Sequence, residues 1–295
     1  MNWITLSLIY ALTNAFYTTY NDKRNFNGYV LGIWRGFGIT LLVLPLFIAL
    51  PAANLPSSYF LILILQGLMI GVYDSHIFFA SARFGGHASS GFMATTVLLT
   101  VFLWWTIDFS ELAALFKNPP YLITLMLILS GFSISYWQMM KVRVSKQAES
   151  YLYPAVFALA LMSIATRYIA IHGGSAYAGV IWYLSVSCFV SGLYNTVMFI
   201  FTPFSQSTPQ TRHPKLKALT APLYKGQGVW LIVLSITLIT AKTLALREAQ
   251  NPGYVIALLL TSPLISDSIE KKQIRLTPSA LLTLTFLTLL VLLVS

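Results

Sequence analysis

Four charged side chains stand out within long apolar runs of this chain: Asp74 in 57–82, Arg35 in 28–50, Arg167 in 151–171 and Lys242 in 222–246. A charge at the middle of a bilayer-spanning helix costs about 2.5–3.5 kcal/mol on insertion scales, so such residues mark solute or ion pathways. Asp74 offers a carboxylate for a substrate ammonium or a coupling proton. Lys242 or Arg167 offers a cation that can meet a carboxylate. Two structural readings stand beside these. Arg167 and Lys242 each lie about four residues from the end of their run, close enough for a long basic chain to snorkel to the interface. Asp74 and Arg35 can equally form an ion pair that only holds the second and third helices together.

Other polar residues recur at helical spacing and so share a face with these charges. Gln66 and Tyr73 accompany Asp74, and Tyr10, Asn14 and Tyr17 form a stripe in the first run. Thr96, Thr100 and Trp104 do so in the fourth, Ser163 with Arg167 in the sixth, Ser187, Ser191 and Tyr194 in the seventh, and Ser235 with Lys242 in the eighth. Stripes of Ser or Thr alone serve helix packing; those with Asn, Gln, Asp or Lys point to a binding surface. Tyr10, Tyr17, Tyr73, Trp104 and Trp105 can stack on a planar or ammonium group. Pro45 and Pro263 fall inside apolar runs, where proline frees a carbonyl and marks a kink or hinge. Hydrolase, phosphate-binding and metalloprotease motifs are absent from the sequence. Its four histidines, His76, His87, His172 and His213, are dispersed and its one cysteine, Cys188, has no internal partner. Neither a metal nor a cofactor is expected.

The elements that must position these residues are membrane helices. The chain of 295 residues is 57% hydrophobic and 9% charged, too little charge to cover a soluble globule. The formal charge of +10 is spread over short gaps rather than gathered into a basic face, which argues against nucleic acid as partner. Ten stretches approach the roughly 20 apolar residues that cross a bilayer: 2–20, 28–50, 57–82, 87–107, 120–140, 151–171, 177–202, 222–246, 252–268 and 277–294. The ninth is the shortest and contains Pro263, and the connection from Ser205 to Lys225 reads as a polar loop. Met1-Asn2-Trp3-Ile4 has no basic region and reads as the start of a retained first helix. Thirteen of the 18 Lys and Arg lie in odd-numbered connections, against Lys117 and Arg247 in the even ones. The positive-inside rule then puts the odd loops in the cytoplasm and both termini outside.

The two halves, 1–146 and 147–295, read as repeats. Ala80-Ser81-Ala82-Arg83, a Gly-Gly turn and the run Ala88 to Val101 are matched by Leu244-Ala245-Leu246-Arg247, the turn Asn251-Pro252-Gly253 and the run Tyr254 to Ile265. Five helices per copy is an odd number, so the second copy enters the membrane inverted, as in many secondary transporters. The expected fold is all-α: a polytopic membrane protein of about ten helices in two inverted five-helix repeats.

With residues 27–35 (ending in Trp34-Arg35), Phe78-Phe79-Ala80-Ser81-Ala82-Arg83 and its turn, and Asn251-Pro252-Gly253 through Thr261-Ser262-Pro263-Leu264, the chain resembles the drug/metabolite transporter superfamily, in its ten-helix exporter branch. That resemblance implies a cavity lined by helices 1, 3, 4, 6, 8 and 9, where most of the polar stripes lie. The family's acidic residue after helices 4 and 9 is here approximated by Glu111 and Glu270, and its usual cytoplasmic termini differ from the charge count. The expected function is secondary transport of a small polar organic solute, an amino acid or related metabolite, in a bacterial inner membrane, with a proton as possible coupling ion. Tyr10, Asn14, Tyr17, Gln66, Tyr73, Asp74, Thr96, Trp104, Arg167 and Lys242 would bind the solute, and Arg35 and Pro263 would serve structure or gating. A translocase of lipid or lipid-linked headgroups is the alternative on the same fold. A membrane-embedded enzyme, or a receptor without transport, is the remoter one.

Overall fold

The computed structural model describes residues 2–22, 24–51, 55–85, 94–141, 145–202, 218–271 and 277–294. Among them there is helix and no strand. The helices are α1 (Trp3–Thr18), α2 (Gly28–Ile48), α3 (Ser57–Phe84), α4 (Ala94–Ile107), α5 (Phe109–Phe116), α6 (Pro119–Lys141), α7 (Lys146–His172), α8 (Ala176–Phe201), α9 (Gln227–Glu248), α10 (Pro252–Leu259), α11 (Ser262–Lys271) and α12 (Pro278–Val294). Short polar residues in the gaps start several of them by accepting free first-turn amides. Asn27 accepts from Tyr29 and Val30, Ser145 from Ala148, Ser175 from Ala178 and Asn251 from Gly253.

Each of the ten apolar stretches is helical over most of its described length. Six helices, α2, α3, α6, α7, α8 and α9, are long and apolar enough to cross a membrane. The protein is therefore a polytopic α-helical membrane protein. Its surface is inverted relative to a soluble fold: Leu41, Leu42, Leu46 and Ile48 of α2 are exposed, while Asn14, Arg35, Gln66, Asp74 and Lys242 are buried. The bilayer solvates the apolar exterior.

One stretch is broken and another ends in a sharp bend. The fourth closes with α4 at Ile107, and α5 follows beyond it at 97°, with Asp108 at the bend capping the Glu111 amide. The ninth breaks between α10 and α11 at Leu260 and Thr261, just before Ser262 and Pro263. Pro263 thus opens a new helix instead of kinking one, as its missing N–H allows in a first turn. In α8 a π-helical turn, Tyr183–Ser187, widens the helix. Residues 86–93, with His87, and 203–217, with Arg212, His213, Lys215 and Lys217, lie outside the described residues.

Hydrogen bonds between helices join residues at matching depths. The Tyr20 hydroxyl after α1 donates to the Gln227 carbonyl at the start of α9, so those helices are antiparallel. Tyr121, early in α6, donates to Leu293 at the end of α12 (3.4 Å), and Thr283 donates to Ser135 (3.1 Å). The largest packing pairs also recur in couples when the stretches are counted in order. The third packs on the sixth (α3 on α7) as the eighth does on the first (α9 on α1). The fourth on the sixth (α4 on α7) is matched by the ninth on the first (α10 on α1), and the seventh on the third (α8 on α3) by the second on the eighth (α2 on α9). The second with seventh, fifth with tenth and fourth with ninth are their own counterparts. Every couple maps onto itself when stretch n is exchanged with n + 5.

Close contact of α8 with α2 and α3 rests on glycine. A Cβ on Gly36 would lie 2.6 Å from the Gly192 Cα, and one on Gly67 2.6 Å from the Ser187 carbonyl oxygen. Gly32 and Gly36, and Gly67 and Gly71, are each four apart, the spacing that lets membrane helices pack backbone to backbone.

Candidate functional site

The centre of the bundle collects polar side chains from five helices. Arg35 on α2 and Asp74 on α3 form an ion pair, through Nη1 and Oδ2, with only 3% and 1% of the side chains exposed. The second Asp74 oxygen, Oδ1, accepts from the Tyr17 hydroxyl of α1 at 2.6 Å. The Arg35 guanidinium also lies 5.6 Å from the centre of the Tyr17 ring. Both carboxylate oxygens are thus engaged. Tyr10 (α1), Tyr73 (α3) and Tyr183 and Cys188 (α8) lie within electrostatic reach of this pair.

Lys242 on α9 completes the group. It is 1% exposed, lies within electrostatic reach of Arg35 and Asp74, and its Nζ has no hydrogen-bond partner. Arg35 Nε and the Tyr73 hydroxyl are likewise buried without a partner. A buried polar group left in this state loses its hydration without compensation.

Three predicted residues sit beside this centre in contacts of their own. Asn14 donates to the Ser262 hydroxyl at 3.1 Å, tying α1 to the break before α11. Gln66 donates to the Thr166 hydroxyl at 2.7 Å, joining α3 to α7. Thr96 is fully buried and its hydroxyl has no partner, while its carbonyl accepts from Thr100 at 2.6 Å. Beyond Gln66 a cavity of about 620 Å³ opens between α3, α4 and α7. Its walls are mainly apolar, its rim includes the exposed Leu65 and Ile107, and Gln66, Trp104, Asp108 and His172 supply its polar groups.

A second polar cluster closes the end of the bundle that holds the C-termini of α7 and α9. Arg167 Nη1 donates to the Leu246 carbonyl at 2.8 Å and to that of Ala249, and its guanidinium stacks 4.7 Å over Trp104. Arg247 returns the contact by donating to the Ala170 carbonyl of α7. Each arginine caps the other helix, where terminal carbonyls lack intrahelical partners. Glu111 on the folded-back α5 accepts from the Trp104 indole at 2.8 Å, the Trp105 indole at 3.3 Å and Asn251 at 3.3 Å.

The residues expected to line one cavity therefore separate into two groups. Tyr10, Tyr17, Arg35, Tyr73, Asp74 and Lys242 meet at the centre; Trp104 and Arg167 belong to the end cluster. Lys242 lies within electrostatic reach of the Arg35–Asp74 pair, apart from the contacts that hold Arg167. Neither Arg167 nor Lys242 snorkels free, the first being held by carbonyls and the second buried. Sequence reasoning missed Tyr183 and Cys188, although Tyr183 lies four residues before Ser187 and so extends the stripe Ser187, Ser191 and Tyr194 by one helical turn. It noted Glu111 only as an approximate family match, although an acid six and seven residues after Trp105 and Trp104 was a readable signal. Compared with known proteins, the chain matches no family model and no curated sequence.

Proposed function

We propose that this protein is a secondary transporter of a small polar organic solute, an amino acid or related metabolite, working by alternating access. The carrying observation is the buried centre where Arg35, Asp74, Tyr17, Tyr73 and Lys242 converge from α1, α2, α3 and α9. Intramembrane charge is retained against its insertion cost where it handles solutes or ions. Support for ten spans in two inverted halves, 1–146 and 147–295, comes from the packing couples that survive exchange of n with n + 5. Support for a solute path comes from the break at Leu260 and Thr261 beside Asn14, since transporter sites form at discontinuous helices. In this reading the two halves rock about the centre, driven by an ion gradient, a proton among the options, or by the solute's own gradient. Resemblance to the drug/metabolite transporters, and cytoplasmic placement of the odd loops in a bacterial inner membrane, belong to the same proposal. Uptake into proteoliposomes tests it: Asp74→Asn and Lys242→Ala each reduce transport at least about tenfold, the loss of roughly 1.4 kcal/mol of stabilisation. Wild-type rates in both variants refute the site.

One observation favours a second reading, translocation of a lipid or lipid-linked headgroup. The cavity between α3, α4 and α7 reaches the apolar exterior at Leu65 and Ile107, a lateral opening that an acyl chain fits. Transfer of a labelled lipid between leaflets, blocked by Ala165→Trp in the cavity wall, distinguishes it from solute uptake.

A further inference from the structure

The buried centre is unbalanced in two independent ways. It contains two basic side chains, Arg35 and Lys242, and one carboxylate, Asp74, which Arg35 already pairs. Its hydrogen bonding is unbalanced in the same sense. Asp74 has both oxygens engaged, by Arg35 and by Tyr17. Among its charged side chains and tyrosines, the groups left over are Arg35 Nε, Lys242 Nζ and the Tyr73 hydroxyl, while Gln66 beside the centre keeps one unpartnered acceptor, Oε1. The first two donate only, and a tyrosine hydroxyl can donate as well. They come from α2, α9 and α3, and none is more than 5% exposed.

We propose that the transported solute is an organic carboxylate, its oxygens received by Lys242 Nζ, Arg35 Nε and the Tyr73 hydroxyl. An ammonium would add a further positive charge beside Arg35 and Lys242, and it leaves the unpartnered donors without an acceptor. A carboxylate supplies acceptors for orphaned donors and cancels the excess charge. Charge-assisted hydrogen bonds of this kind are the stronger sort. Buried ions also need both a counter-ion and satisfied donors to be tolerated. The inference rests on the transport reading for its word "transported", while the anion site itself stands on the buried geometry.

The test is thermal unfolding of the detergent-purified protein at matched ionic strength, titrated with acetate, succinate, benzoate, inorganic phosphate and methylammonium chloride. At least one carboxylate raises the midpoint in a saturable way, and methylammonium does not. Lys242→Met weakens that response at least about tenfold, Lys242→Arg retains most of it, and Tyr73→Phe weakens it by a smaller factor, as expected for a neutral hydrogen bond beside a charged one. Lys242→Met removes a buried unpaired cation, and its own baseline midpoint reports whether it folds; Tyr73→Phe provides the second readout. Four results overturn the proposal: no carboxylate response, response to phosphate alone, response to methylammonium alone, or an unchanged response in Lys242→Met. Carboxylate binding that depends on Lys242 without flux in proteoliposomes overturns transport and leaves the anion site. Amine flux without carboxylate binding does the reverse.

Discussion

Replacing Asp74 by Asn leaves the shape of the centre almost intact and removes its one negative charge. The amide can still accept from Tyr17 on one atom, so the change isolates the ion pair. Arg35 and Lys242 then remain buried together with no counter-ion. Breaking a buried pair by deleting one partner costs about 3–5 kcal/mol, because the surviving charge stays desolvated. At 3% exposure Arg35 has no nearby water to recover that loss, so the full range applies to Asp74→Asn. The double variant Arg35→Met with Asp74→Leu removes both charges. Its remaining penalties are the Tyr17 hydroxyl without an acceptor, about 1–3 kcal/mol, and Lys242 left without a carboxylate nearby, which Asp74→Asn shares. The double variant is therefore more stable than Asp74→Asn, and the cycle built with Arg35→Met and Asp74→Leu alone gives a coupling of about 2–4 kcal/mol. Reversible unfolding in mixed detergent micelles, followed by helical circular dichroism and by the fluorescence of the seven tryptophans, measures all the variants. Asp74→Asn within about 1 kcal/mol of wild type, or single losses that simply add in the double, refutes the claim that this pair is buried and mutually dependent.

Two further perturbations probe the ends and the seams of the bundle. Glu111→Gln removes the charge from a carboxylate that accepts two indoles and Asn251; the expected loss is about 1–2 kcal/mol, the difference between charged and neutral acceptors, together with a red-shifted tryptophan emission. Unchanged emission and stability would refute the clasp around Trp104 and Trp105. Gly36→Ala forces a Cβ to within 2.6 Å of the Gly192 Cα and 2.7 Å of the Cys188 carbonyl oxygen. Backbone cannot rotate away, so overpacking costs about 1–3 kcal/mol, read by the same unfolding assay; wild-type stability in this variant would mean that α2 and α8 do not approach so closely.

The apolar stretches were legible because their length alone encodes a helix in lipid. The ion pair was legible as one of two outcomes for Arg35 and Asp74, and the structure realises it. Helical spacing grouped Gln66, Tyr73 and Asp74 on α3, but spacing within one helix carries no information about which neighbour each of them meets. Gln66 consequently bonds Thr166 while Asp74 bonds Arg35 and Tyr17. The same limit misplaced Lys242, whose distance from the end of its run predicted the interface and whose packing took it to the centre. The break at Leu260 and Thr261 was harder still, since it interrupts a run whose hydropathy continues across it, whereas the bend at Asp108 falls where the fourth run ends. The paired spacings Gly32 with Gly36 and Gly67 with Gly71 were readable and mark the tightest seam.

The packing couples and the charges obey different symmetries, and that difference bears on mechanism. Under exchange of stretch n with n + 5, the third helix changes places with the eighth. The third carries Asp74 and the eighth carries Lys242. Helices in equivalent positions thus contribute opposite charges to one centre, while Arg35 on the second has no charged counterpart on the seventh, α8, which offers Tyr183 and Cys188 there instead. The scaffold is balanced and its chemistry is not. If the halves rock against each other, the Arg35–Asp74 pair travels intact within the first half, and Lys242 is the charge whose distance to that pair changes. An anion bound between them is then held by both halves at once when they close, and by one half when they part. On the proposed transport reading, that would make Lys242, whose Nζ has no hydrogen-bond partner, the residue through which occupancy of the centre governs the rocking.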